Sequence, residues 1–312
     1  FGWSKKGVSL SFPGENGAHA GPGPNETTGF ALLPGTAPIT LPAQGPLRPL
    51  DLREGVRQFL GRAPGAFPGR RRQRDQKREI IRILTYNVHS CIGMDGKLSP
   101  DRIARVIAQY DPDIVALQEL DAGRHRTNGI NQAEVIARTL AMDFHFHPAM
   151  QLEEEKYGDA ILSHHPIRLI RAAELPRLPG RAFLEPRGAL WVCVTVDGVE
   201  YQLINTHLGL SRLERLLQCE ALLGPDWLGD ADCREPVILC GDFNAGPKSV
   251  VCKKFTGALN DAQDVLLNHR PKSTWFGRYP INRIDHVFVD QSLEVCSVQV
   301  PRTALTRTAS DH

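Results

Sequence analysis

Asn87, Glu119, Asp242, Asn244, Asp285 and Asp311 are oxygen donors, and several of them stand where an apolar run ends. Carboxylate and amide oxygens are hard ligands. A set of them without cysteine suits Mg²⁺, with Mn²⁺ as the alternative ion, rather than zinc. Mg²⁺ takes one or two carboxylates and completes its shell with water and substrate phosphate. Taken singly, each residue has a plainer explanation, because Asp and Asn are common in turns. Their joint placement carries the reading. Two histidines join the set. His207 ends the run Ile204-Asn205-Thr206-His207, and His312 closes Ser310-Asp311-His312. Imidazole is the side chain best suited to move a proton near neutral pH. Asp285, in Arg283-Ile284-Asp285-His286, is suited to hold one imidazole in its productive tautomer. His89, His125, His145, His147, His164 and His165 have no comparable setting and read as structural or surface groups.

These side chains need rigid elements that also reach solvent, and strand ends provide both. Ile80 to Asn87 reads as a buried strand, and Asp113 to Glu119 as an apolar strand ending in a carboxylate. Further strands are expected at Asp159 to His164, Ala189 to Val196, Gln202 to His207, Val237 to Phe243 and Ile284 to Val289. Asp197-Gly198 supplies a hairpin turn between two of them. Ser99 followed by Pro100 opens a helix, with Ile103, Val106, Ile107 and Tyr110 at helical spacing. Asn131 with Glu134, and Ser211 with Glu214, mark two more helix starts. Many apolar strands with few helices predict an α/β sandwich of packed sheets with helices outside.

The chain divides by composition. The first 70 of its 312 residues hold 13 Gly and 10 Pro. Such a stretch buries too little apolar surface to offset its ordering entropy. Residues 1–78 are therefore expected to be a linker, with one short helix from Leu52 to Leu60 capped by Asp51, and a basic run at Arg70 to Arg78. This segment carries 12 Lys/Arg against 5 Asp/Glu, and residues 79–312 carry 25 against 30. An acidic second part argues against a non-specific duplex-DNA binder, whose affinity comes from neutralising phosphates. Seven scattered cysteines with no C-x-x-C pair argue against a zinc-thiolate site and a disulfide framework. They point to a reducing, cytoplasmic setting. No apolar run reaches the length of a membrane span.

Seven short matches, in order, resemble one family. They are Leu84-Thr85-Tyr86-Asn87-Val88, Val115-Ala116-Leu117-Gln118-Glu119, Tyr157-Gly158-Asp159-Ala160-Ile161-Leu162-Ser163, Asn205-Thr206-His207-Leu208, Gly241-Asp242-Phe243-Asn244, Arg283-Ile284-Asp285-His286 and Ser310-Asp311-His312. This is the pattern of the endonuclease/exonuclease/phosphatase superfamily, the DNase I-like metal-dependent phosphoesterases. The resemblance implies a four-layer α/β/β/α sandwich of two mixed sheets over residues 79–312. It implies Glu119 as the principal Mg²⁺ carboxylate, with Asn87 beside it and Asp311 near the metal. Asp242 and Asn244 would position the nucleophile and the phosphate, and His207 would stabilise phosphoryl oxygens or the leaving group. His312, oriented by Asp285, would be a general base or a phosphate contact. Arg187 would neutralise substrate phosphate through a two-pronged contact. Asp159 departs from the pattern, because many relatives carry Asn there. In the family one more apolar strand follows Ser-Asp-His, so residues 79–312 are expected to lack their last strand.

The function expected from all this is hydrolysis of a phosphodiester or phosphomonoester by in-line attack of water. The substrate's phosphate sits on a nucleic acid or on a lipid or inositol head group, and fold does not choose between them. Nuclease activity is the first alternative. A phosphate-binding module without catalysis is the second, disfavoured because every metal and histidine position is present.

Overall fold

The computed structural model describes residues 6–11, 80–181, 184–276 and 279–312. They form two six-stranded sheets. The first has the order β12-β1-β2-β3-β5-β4. Its members are β1 (Lys6–Ser11), β2 (Ile80–Asn87), β3 (Ile114–Ala122), β4 (Asp143–Leu152), β5 (Glu155–Ser163) and β12 (Leu293–Gln299). The second has the order β10-β11-β9-β8-β7-β6. It comprises β6 (Ile167–Glu174), β7 (Gly188–Val196), β8 (Val199–His207), β9 (Val237–Asp242), β10 (Asn260–Asp261) and β11 (Asp285–Val289). Both sheets mix parallel and antiparallel pairs.

Successive side chains along a strand point to opposite faces, and here both faces are apolar. Ile81, Ile83, Ile114, Ile161, Leu203, Ile238 and Val287 belong to one core between the sheets. Leu84, Tyr86, Val115 and Leu117 pack outward against α1 (Pro100–Ala108) and α2 (Gln132–Leu140). Trp191, Ile204, Leu239 and Phe288 pack outward against α3 (Arg212–Leu223) and α4 (Val250–Thr256). The result is the expected α/β/β/α sandwich. Two smaller α-helices, α5 (Ala262–Val265) and α6 (Ala304–Ala309), and two 3-10 turns, His89–Cys91 and His125–Thr127, complete the described elements.

All three predicted helix starts hold, and two of them carry the expected side-chain cap. Ser99 accepts the Arg102 N–H and Asn131 accepts the Glu134 N–H. Ser211 precedes α3 but makes no side-chain cap bond. Asp197 and Gly198 take positive φ of 44° and 83°, which joins β7 to β8 as a tight hairpin. Two expectations need correction. Residues 6–11 are not linker: β1 pairs in parallel with both β2 and β12. Its backbone supplies partners to the facing edges of those strands, whose N–H and C=O groups would otherwise be unpaired. The expected helix at Leu52–Leu60 and the basic run lie outside the described residues. The second correction is β3, which continues to Ala122 instead of stopping at Glu119. No described helix is long and apolar enough to cross a membrane.

Candidate active site

At one end of the sandwich the inward rows turn from apolar to polar. Along β2 the row reads Ile81, Ile83, Thr85, Asn87; along β8 it reads Leu203, Asn205, His207. Along β9 it reads Ile238, Cys240, Asp242, and along β11, running the other way, Val289, Val287, Asp285. Pairing register puts His207 beside Asp242, and Asp242 beside Asp285. The period of two that builds the core therefore also aims four site residues into the same gap between the sheets. Gly241 lets β9 come close enough: a Cβ there, at φ of 141°, would lie 1.9 Å from the Thr206 carbonyl oxygen.

Glu119 arrives differently. The β3–β5 register slips between Leu117 and Leu120, and Glu119 takes φ of 62°. This bulge re-aims the carboxylate into the gap, a common use of bulges beside active sites. A buried polar bridge steadies it. Gln118 Nε2 donates to Asn205 Oδ1 at 2.7 Å and to Thr85 Oγ1 at 3.1 Å, and Asn205 Nδ2 donates to the carbonyls of Leu117 and Ala160. Asn244 lies in a left-handed turn at φ of 48°, its N–H held by Asp242 Oδ1 at 2.8 Å, a conformation asparagine tolerates well. Ser310 Oγ donates to the Asn87 carbonyl at 2.8 Å and pins the Ser-Asp-His segment to β2.

The assembled group is tight. Asn87 Nδ2 donates to Glu119 Oε1 at 2.8 Å and to Asp242 Oδ2 at 3.0 Å, while its Oδ1 accepts the His89 N–H. His207 Nε2 lies 3.0 Å from Asn244 Nδ2 and 3.5 Å from Asp242 Oδ2, and Arg187 Nη1 sits 3.0 Å from His207 Nδ1. Arg187 can only donate, so His207 Nδ1 accepts and the proton of the neutral ring sits on Nε2. Burial, with the Arg187 and His312 charges adding to it, pushes His207 well below the usual histidine range. His312 Nδ1 is 2.9 Å from Asp285 Oδ2, and its Nε2 is 3.6 Å from Asp242 Oδ2. Burial alone would lower His312, but Asp285 and Asp242 outweigh it and raise the ring to about 10. Burial raises Asp242 to about 6, aided by Asp285 and opposed by His312.

Asn87, Glu119, His207, Asp242, Asn244, Asp285 and His312 converge, while Asp311 and Arg187 sit differently from the expectation. Asp311 lines the cleft, but it contacts Trp275 Nε1 at 3.3 Å and His89 Nδ1 at 3.7 Å, apart from the Glu119 group. Arg187 is buried, and its Nη1 is spent on Glu185 and His207. Four residues given no role in the sequence reading also belong here. Asp159 shares the inward face of β5 with Ile161 and is buried near Arg187 and Glu119; burial pushes its carboxyl up to about 8. Tyr157, Arg126 and His89 line the cleft. The alternation of β5 would have found Asp159. Nothing in the spacing marks His89, which reaches the cleft through a left-handed turn.

Oxygens of Glu119 and Asp242 and a nitrogen of His207 fall within 4.8 Å of one another. Two carboxylates held together by one amide, at the edge of a cleft of about 560 Å³, are the donor chemistry a divalent cation needs. Asp285 Oδ1, buried with no protein partner, adds to the excess of acceptors over donors there.

Residues 84–312 match the model of the Endonuclease/Exonuclease/phosphatase family. The chain belongs to that family. Its members are hydrolases of phosphoester bonds that generally depend on a divalent metal. YbhP, an uncharacterized protein of Escherichia coli K12, is 24% identical over 250 residues, 76% of this chain and 96% of YbhP. An endonuclease/exonuclease/phosphatase from Beutenbergia cavernae superposes with a TM-score of 0.55 at 24% identity, over 74% of this chain and 68% of that one. A mannosyl-6-phosphatase from Bacteroides thetaiotaomicron gives 0.53 at 20% identity, over 67% and 85%. At these identities the superpositions speak for the fold.

Proposed function

We propose that this enzyme hydrolyses a phosphodiester or phosphomonoester with Mg²⁺, or Mn²⁺ in its place, by in-line attack of water. One observation carries the reading. Asn87, His207, Asp242 and Asp285 end four inward rows at the same gap, where Glu119 and His312 join them. Glu119 would hold the metal, and Asn87 fixes its carboxylate beside that of Asp242. Asp311 stands farther round the cleft. A cation held there would supply polarisation of a phosphoryl oxygen and offset developing charge.

The protein's own groups divide the remaining work. Asp242, raised towards neutrality, is suited to take a proton from the attacking water. Asn244 and Asp242 together position the water and the phosphate. His312 is cationic at neutral pH, so it serves as a phosphate contact, with Asp285 fixing its orientation. His207 stays neutral and offers an uncharged hydrogen bond to a phosphoryl oxygen or the leaving group. Arg187 acts through His207 and adds positive potential behind it. Fixed groups of this kind stabilise the transition state without reorganising.

For the substrate, the acidic balance of residues 79–312 favours a small phosphate ester or lipid head group over duplex DNA. A fold neighbour that is a mannosyl-6-phosphatase fits that reading. The seven cysteines are free thiols, which suits a reducing cytoplasm. A panel of abasic DNA, single-stranded DNA, phosphoinositides, sphingomyelin and sugar phosphates, each with Mg²⁺, tests the proposal. Turnover of a sugar or lipid phosphate above the DNA substrates is expected. Turnover of none of them, or of DNA alone, would overturn the corresponding part.

A further inference from the structure

The same cleft carries a cation that the proposed hydrolysis does not use. Arg126 is half exposed, with 46% of its side chain accessible, and lines the cleft together with His89, Ser90, Glu119 and Tyr157. Its Nε and Nη2 donate to the two oxygens of Asp121 at 2.7 and 2.8 Å, and Nη2 also donates to Ser90 Oγ at 2.8 Å. Its guanidinium lies 5.5 Å from the centre of the Tyr157 ring. Nη1 has no hydrogen-bond partner among the described residues. The plainest explanation is that Arg126 neutralises Asp121, whose side chain is wholly buried.

Two further features ask for more than that. First, Asp121 already has a second cation, Arg124, at 3.6 Å. Second, Arg126 braces a strained turn. His89, Ser90 and Cys91 hold positive φ of 47°, 51° and 56° in succession, and none is glycine. Arg126 holds the Ser90 hydroxyl, Gln132 Nε2 holds the Ser90 carbonyl at 2.6 Å, and the Ser99 N–H holds the Cys91 carbonyl at 2.8 Å. Strain of this kind persists only where surrounding contacts over-determine it, and it clusters at ligand clamps. This turn sets His89 at the same cleft, its Nδ1 3.7 Å from Asp311. The cleft has a volume of about 560 Å³. That exceeds what one phosphate and one cation occupy.

We propose that Arg126, flanked by His89 and Ser90, binds a second phosphate group of the substrate, beside the one that is hydrolysed. The preferred substrates are then phosphate esters that carry another phosphate nearby. This rests on the hydrolysis proposed above and adds its substrate class. A guanidinium pre-ordered by a buried carboxylate loses little freedom on binding an anion, and a phosphate gains a charge-assisted hydrogen bond from it.

Binding and turnover are read separately. Calorimetry with Mg²⁺ compares propyl phosphate with alkanediyl bisphosphates of two-, three- and four-carbon spacers, and phosphate release is followed on the same compounds. At least one bisphosphate should bind about tenfold more tightly than propyl phosphate, the scale of one charge-assisted contact. The double variant Asp121→Asn/Arg126→Gln removes the cation without leaving a buried carboxylate unpaired, and this preference should collapse towards parity. A wild-type measurement guards against misfolding: phenylglyoxal labelling of Arg126, read by mass spectrometry, should be slowed by that bisphosphate and not by propyl phosphate. Equal binding of all compounds, or an unprotected Arg126, would overturn the second-phosphate site. Preferential binding without any phosphate release leaves that site standing and counts against the hydrolysis of phosphomonoesters.

Discussion

At the residue scale, Asp242 is the point through which the site is connected. It accepts from Asn87, lies within 3.6 Å of both histidines, and fixes the Asn244 turn. Substituting it disturbs every partner at once. Asp242→Asn, His207→Ala and Asn244→Ala should each lower kcat by about 10²-fold or more, the scale of losing one positioned acid–base or electrostatic group. Steady-state kinetics on variants with wild-type circular dichroism checks this, and near-normal turnover in any of them would remove that residue from the mechanism. Most of these positions were legible in the sequence because polar residues ending apolar runs are uncommon. Tyr157, Arg126 and His89 were not, and Asp159 was marked only by the alternation of β5. Tyr157 and Asp159 sit inside a strand, and Arg126 and His89 reach the cleft from loops whose path depends on tertiary contacts.

Among the elements, β11 and the loop before it are held by a buried charge cluster. His286 faces outward on β11, its Nδ1 2.9 Å from Asp261 Oδ2 and its Nε2 2.9 Å from the Ala245 carbonyl. Arg283 joins Asp261 at 3.2 Å and Asp264 at 3.0 Å. Burial alone would lower His286, but Asp261 and Cys252 outweigh it and raise the ring to about 10 from 6.5. A raised folded-state value means this stability is fully present below pH 6.5 and is lost as pH rises through 10. The stability gap between wild type and His286→Phe, from urea unfolding, should therefore shrink between those limits. A gap independent of pH would show that the imidazolium is not the stabilising form.

The bridge between the sheets makes a second element-level prediction. Asn205→Ala removes the amide that donates to the Leu117 and Ala160 carbonyls and takes from Gln118 its shortest hydrogen bond, leaving it Thr85 and the Ala116 carbonyl; each buried group left unpaired costs about 1–3 kcal/mol. The midpoint of urea unfolding should fall, and turnover with it, because Gln118 adjoins the Glu119 bulge. Unchanged stability would mean that solvent replaces the amide. The strands carrying site residues were readable from continuous apolar runs, since both their faces are buried. By contrast β4, β6 and β12 are half exposed and mix Arg, His, Pro and Glu among apolar residues, so their pattern falls below notice. The bulge was also hidden, because Gln118-Glu119-Leu120 reads equally well as a strand end.

For the whole molecule, the sandwich joins core and chemistry in one gap. The apolar stretch between the sheets fixes their separation, and its polar end inherits that geometry. The layer order followed from the sequence because strand-rich chains with a few amphipathic helices have few ways to cover two sheets. Residues 6–11 escaped it, since nothing local to a Gly- and Pro-rich segment shows that a distant sheet has a slot to fill. The central claim is that the convergent carboxylates and histidines serve metal-dependent hydrolysis. The most direct test follows hydrolysis of bis(4-nitrophenyl) phosphate and 4-nitrophenyl phosphate before and after exhaustive chelation, then on adding back Mg²⁺ or Mn²⁺. The rate should vanish with EDTA and return with either ion in wild type, but not return in Glu119→Gln. Full activity after chelation, or full restoration in Glu119→Gln, would contradict the account.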